Sequence, residues 1–320
     1  MSSTYPVTCI LFTLALSIAS MPIGAEEKNN KKADHAFGRL ESYEPNLLGY
    51  GHDDNDVGYM DFKISLKYPM FHSGEPQSAV KGWLPYPYLA FTGRFSQYIN
   101  TRESSPVISK RFNPVLFGRY WLSTHSKQDS DYIDIAYGHE SNGQSIDTSA
   151  AYLDKRNSLI AAGEDANFAN DYISRGWDYV GATWKFTRRA PFSTKSRITG
   201  YLGLRYFIND GALQGKQEEY NTWENNPEGK RRKSVDGVRL KLKYDTNFIS
   251  NKIFKSNKLF FSITTGYDDM FKYNTYRAEW AVGIKNVPVM IWASKGYNSD
   301  LVDYYKKVTS YGIAIELVSY

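Results

Sequence analysis

The 320-residue chain has a single cysteine, Cys9, and it lies inside an apolar stretch near the amino terminus. The rest of the chain can therefore rely neither on disulfides nor on cysteine-held metals, so its stability must come from packing and backbone pairing. A second long apolar run is also missing, and mean hydropathy is −0.51, which excludes a helical membrane protein. The one apolar run, Val7 to Ala19, is too short to span a bilayer and is followed by Ile23-Gly24-Ala25. It reads as a secretory signal peptide over residues 1–25, cleaved after Ala25, although Met1 to Thr8 carries no Lys or Arg. Charge of one sign is scarce as well, the formal net charge being only +5. Its densest source, Lys230-Arg231-Arg232-Lys233, reads as a solvated loop, with a phosphate-rich lipid surface as the functional alternative. No nucleic-acid motif accompanies it.

What the chain does have is aromatic residues, Tyr 26, Phe 17 and Trp 7, a composition of many short strands. Residues 26–42 are a polar leader without pattern. From 43 to 320 the pattern is alternation. In Asp61-Phe62-Lys63-Ile64-Ser65-Leu66-Lys67-Tyr68 every second residue is apolar, which places the two classes on opposite faces of one strand. The same alternation recurs at 238–245 and 276–284. Twelve strands are expected, near 43–51, 57–69, 86–99, 112–123, 131–142, 174–187, 196–208, 237–248, 257–267, 275–285, 288–297 and 309–320. Strands of ~10 residues with one greasy and one charged face fit an all-β, twelve-stranded antiparallel transmembrane β-barrel, because lipid offers no partner for an open backbone edge. The longest connections, 143–173 and 209–236, both follow strands running the same way. A soluble sandwich or lipocalin-like barrel is the competing architecture.

In the fifth strand Ile133, Ile135, Tyr137, His139 and Ser141 share one face, so parity turns His139 and Ser141 toward lipid. Polar groups there need partners. The sixth strand puts Asp178 on the same face as Val180, Ala182, Trp184 and Phe186. Ser141, His139 and Asp178 thus supply a nucleophile, a base and a carboxylate that can hold the imidazole, the division of labour that acyl transfer requires. Asn142-Gly143 follows directly, and the Gly143 N–H is a candidate oxyanion donor.

The runs His139-Glu140-Ser141-Asn142-Gly143 and Ser174-Arg175-Gly176-Trp177-Asp178, with Arg102-Glu103-Ser104-Ser105-Pro106, Asn113-Pro114 and the segment from Lys295 to Tyr304, resemble the outer-membrane phospholipase A family. The resemblance implies hydrolysis of sn-1 and sn-2 acyl esters of phospholipids and lysophospholipids in a Gram-negative outer membrane. It also implies calcium dependence and activation by homodimerisation. By position, Ser141 is the nucleophile and His139 the base. Ca2+ is expected at Ser174, the Gln144 backbone and Ser104 of a partner subunit, and Gln97 is expected at the dimer seam. Two departures stand out. The best-known members orient the histidine with an asparagine where this chain has Asp178, and Asp178→Asn is expected to retain substantial activity, because amide and carboxylate can both accept the imidazole N–H. About thirty residues, Ser145 to Ile173, are inserted between the two halves of the site. The alternative function is a catalytically silent barrel, a pore or surface-binding protein with 143–173 and 209–236 as recognition loops.

Overall fold

The computed structural model describes residues 40–54, 57–71, 84–99, 107–123, 130–190, 196–216, 229–246, 254–284 and 287–318. The expected signal peptide, most of the leader and Ser104 lie outside the described residues. Twelve strands form the barrel: β1 Asn46–Asp53, β2 Gly58–Pro69, β3 Tyr86–Tyr98, β4 Ile108–Ser123, β5 Asp131–Ser141, β6 Gly176–Arg189, β7 Arg197–Ile208, β8 Gly237–Thr246, β9 Phe254–Gly266, β10 Thr275–Ile284, β11 Val287–Gly296 and β12 Val308–Val318. Each pairs antiparallel with the next, and β12 pairs with β1, so the sheet closes. Closure leaves no open edge to be satisfied by lipid. A two-residue strand, Glu41–Ser42, adds to β2.

Alternation decides what faces where. Along β2, Asp61, Ser65 and Lys67 are buried while Ile64 and Tyr68 are exposed, so the charged face is the interior and the apolar face the outer wall. Leu89, Leu116, Ile135, Val180 and Ile313 continue that outward apolar surface. Inside, charges are paired. Arg119 grips Asp134 through two bonds of 2.7 and 2.8 Å, and Arg94 grips Asp61 through two of 2.9 Å. Bidentate pairs of this kind satisfy ions that would otherwise be costly to bury. A polar cavity of about 380 Å³ remains, lined by residues including Asp61, Arg94, Glu140, Arg205, Arg239 and Lys241.

β4 opens at Ile108, four residues before the expected start, and Asn113-Pro114 lies within it as expected. The ladder with β5 tolerates the proline because it skips the two levels between Phe112–Ser141 and Val115–Gly138, and a proline has no N–H to donate there.

The long connections gather at one end. After β5 comes a helical excursion, α1 Ser149–Ala161 and a 3-10 helix Ala166–Tyr172. Thr148 caps α1 by accepting from the Ala151 N–H, as its hydroxyl suits. Between β7 and β8 the chain forms a small hairpin, Asp210–Gly211 with Gly215–Lys216, and a four-residue helix α2, Arg232–Val235. The basic run is not a solvated loop: Arg232 is fully buried and Lys230 is 5% exposed. Lys230 sits over the rings of Tyr273 and Tyr297 at 5.0 and 4.8 Å. Val235, Trp177, Phe207, Leu301 and Tyr304 pack into one buried cluster that caps this end of the barrel.

Candidate active site

His139 and Ser141 are successive outward positions of β5, and the register brings Asp178 of β6 directly opposite His139 and Gly176 opposite Ser141. His139 Nδ1 lies 2.6 Å from Asp178 Oδ1. That bond commits Nδ1 to the carboxylate and leaves Nε2 as the ring nitrogen available to Ser141, ~6.6 Å along the strand at two residues' rise. A Cβ at Gly176 would stand 2.3 Å from Gln214 Oε1 and 3.3 Å from His139 Cε1, so glycine there makes the room in which the imidazole lies. On the other flank Phe112 opposes Ser141 and stacks on Phe91, forming an apolar wall beside the hydroxyl.

Asp178 is the residue that the sequence leaves least explained. It points outward from the barrel yet is fully buried, because the 210–216 hairpin folds over it. Its Oδ2 accepts from the Tyr137 hydroxyl at 2.8 Å, the Leu213 N–H at 2.7 Å and the Gln214 N–H at 3.1 Å. The preceding amide, Ala212 N–H, donates to the Tyr137 oxygen at 2.9 Å. Three consecutive backbone amides at the hairpin tip therefore form a nest for this carboxylate and its tyrosine. Tyr137, Leu213 and Gln214 were not singled out from the sequence. Parity alone places Tyr137 beside His139, but no periodicity reveals that a turn 75 residues downstream folds back onto the wall.

Gly143 has φ +61, in the left-handed region that glycine enters without penalty, and it is exposed beside Ser141 at the loop-bearing end. Asn142, 2% exposed, organises the turn. Its Nδ2 donates to the Ile173 carbonyl at 2.7 Å, and its Oδ1 accepts from the Arg175 N–H at 2.9 Å and the Gln144 N–H at 3.3 Å.

No protein-family model matches the chain. Among curated proteins it is 25% identical to phospholipase A1 of Escherichia coli strain K12 over 235 residues, 70% of this chain and 68% of that protein. The phospholipase A1 of Shigella flexneri matches to the same extent. Among solved structures, outer membrane phospholipase A from Escherichia coli aligns with a TM-score of 0.57 at 17% identity, covering 88% of this chain and 100% of that one. The Salmonella typhi outer membrane phospholipase, a dimer with bound calcium, aligns at 0.55 with 16% identity, covering 87% and 91%. The chain resembles the outer-membrane phospholipase A family.

Of the residues assigned to calcium from that family, Gln144 and Ser174 are brought to neighbouring segments. The Asn142 bonds tie 142–144 to 173–175, and further bonds run from the Ser174 N–H to the Ile146 carbonyl at 2.8 Å and from the Ile146 N–H to the Tyr172 carbonyl at 3.1 Å. The insertion therefore begins and ends on a closed neck, with Ile146 bridged to Ile173, and leaves the two segments side by side. Among the described residues no group of three or more His, Cys, Asp or Glu could hold a metal ion. A backbone carbonyl and a serine hydroxyl are the hard, uncharged oxygen donors that calcium accepts. Gln97 lies in β3 opposite Met60, on the outward face with Leu89, Phe91 and Phe95 and two strands from β5.

Proposed function

We propose that this chain is an outer-membrane phospholipase that hydrolyses sn-1 and sn-2 acyl esters of phospholipids and lysophospholipids on the outside of its barrel wall, and that it works as a calcium-dependent homodimer. The observation that carries the reading is the 2.6 Å contact between His139 Nδ1 and Asp178 Oδ1, on the same outward face as Ser141. His139 Nε2 takes the Ser141 proton as Oγ attacks the ester carbonyl carbon. The tetrahedral intermediate collapses, His139 returns the proton to the departing glycerol oxygen, and an acyl-Ser141 ester remains. Water then attacks that ester, His139 takes its proton, and the fatty acid leaves as Ser141 is reprotonated. The Gly143 N–H donates to the developing oxyanion. The Gln144 carbonyl, Ser174 and Ser104 of the partner subunit would hold a calcium ion, which would supply positive charge to the developing oxyanion. Facing lipid, the site meets acyl esters without a pocket inside the barrel. The residues 1–25 serve in export as a cleaved signal peptide, and Gln97 at the subunit seam gains by bonding to its symmetry mate.

Protein purified and refolded in detergent should release fatty acid from phospholipid only with calcium present. Ser141→Ala and His139→Ala should each abolish release. Wild-type rates from either variant, or bilayer conductance without esterase activity, overturn the reading.

A further inference from the structure

The connection between β7 and β8 touches the catalytic strand twice, from opposite faces of the wall. On the outside, its first part is the hairpin whose tip cradles Asp178. The fit is tight: a Cβ at Gly211 would lie 2.0 Å from Asp178 Oδ2 and 2.3 Å from Asp178 Cβ, so only glycine lets the hairpin come down onto the carboxylate. On the inside, the last part of the same connection is α2. Arg232 there bonds Glu140 through Nη2, Asp236 through the same nitrogen at 2.8 Å and Asn298 through Nη1 at 2.6 Å. Its guanidinium lies 5.1 Å from the Trp177 ring. Glu140 is the residue between His139 and Ser141, turned inward by strand parity and 2% exposed. Arg111 and Arg205 approach its other oxygen at 3.5 and 3.7 Å.

We propose that the β7–β8 connection is a two-sided clamp on the catalytic strand: Gly211 and the hairpin amides position Asp178, and through it His139, from outside, while Arg232 positions Glu140, and through it the His139-to-Ser141 backbone, from inside. These are positioning residues; none touches the ester. The inference deepens the hydrolase reading and rests on it. A static clamp suits this location, because an imidazole on the outer wall is held only by the segments folded against it, and a misplacement of about 1 Å costs on the order of 100-fold in rate.

The test uses two readouts on the full-length protein folded in detergent, with heat-modifiable gel migration as the check of folding. One is the rate at which a small fluorophosphonate labels Ser141. The other is the downfield imidazole N–H proton resonance of His139, assigned by its loss in His139→Gln. Gly211→Ala is expected to slow labelling about 100-fold and to remove the resonance. Leu213→Pro deletes one amide donor without adding a Cβ against Asp178, and should label at least tenfold more slowly than Leu213→Ala, which keeps the amide. Glu140→Gln, isosteric but uncharged, is expected to slow labelling about tenfold, with KM for phospholipid unchanged. Folded hairpin variants within twofold of wild type overturn the clamp, and an effect confined to one face overturns its two-sidedness. Wild-type protein that neither labels nor releases fatty acid overturns the hydrolase reading instead; the resonance then still decides the outer arm, which stands if Gly211→Ala and Leu213→Pro lose it and falls if they keep it.

Discussion

Replacing Asp178 by asparagine changes a single atom, and the structure turns the expected outcome of that change around. Judged from the sequence, an amide should retain substantial activity, because it too can accept the imidazole N–H. In the structure Oδ1 faces His139 Nδ1 while Oδ2 accepts from Tyr137, Leu213 and Gln214, and the two ends of an amide cannot do both. With its oxygen toward His139, the side chain aims an NH2 at two backbone N–H groups that cannot accept. Two bonds to a charged acceptor are then lost, at about 1.5–3 kcal/mol each, or roughly 3–6 kcal/mol in all. With the amide reversed, the hairpin keeps an acceptor, but NH2 faces Nδ1 and forces the ring proton onto Nε2, the nitrogen that must take the Ser141 proton. The second arrangement avoids the larger cost. A wrong tautomer in an otherwise intact triad costs about four orders of magnitude in kcat. Asp178→Asn should therefore fold normally, bind substrate with KM near wild type and lose roughly 1,000- to 10,000-fold in kcat, measured as fatty-acid release from detergent-dispersed phospholipid. Retention of more than a tenth of wild-type kcat would refute the reasoning.

Other outcomes follow from the same geometry. Tyr137→Phe removes one of the three donors to Oδ2 and leaves the two amides, so kcat should fall only about tenfold, in line with a single bond to a charged group. Asn142→Ala leaves the Ile173 carbonyl and Arg175 N–H without their side-chain partner and loosens the tie between Gln144 and Ser174; the calcium concentration for half-maximal activity should rise about tenfold, read by calcium titration. Asp236 offers a pH test outside the spanning strands. Burial alone would raise its pKa, but the charges of Arg232, Arg205, Arg239 and Arg111 outweigh burial and hold it at about 2. Because the folded value lies below the ordinary 3.8, its contribution to stability is complete above about pH 4 and is lost as pH falls toward 2. The thermal unfolding midpoint of wild type should thus drop more steeply over that interval than that of Asp236→Asn; parallel curves would count against the pairing.

Much of the fold was legible because a barrel in lipid obeys a period of two at every strand. The alternation of β2, β8 and β10 sorted inward charges from outward apolar residues, and the same parity placed His139, Ser141 and Asp178 on one face before any contact was known. Where parity did not apply, reading failed. The Lys230–Lys233 run looked solvated, since local charge density says nothing about a helix whose Arg232 meets Glu140 of β5 and Asn298. The early start of β4 escaped because Ser109-Lys110-Arg111 is a polar run with no apolar alternation to mark it as strand.

The insertion between Gln144 and Ser174 shows the same division. Its length was plain, but whether it separates the two segments depended on bonds between Ile146, Tyr172, Ile173 and Ser174, which close its neck. Sequence by itself determined which residues share the outer face and which chemistry they can perform, because side-chain direction in a strand is set by position alone. Only the tertiary structure decided how Asp178 is held, because the amides of residues 212–214 reach Asp178 and Tyr137 through a fold of the chain back onto its own wall, and no local pattern encodes a contact between segments that meet only in three dimensions.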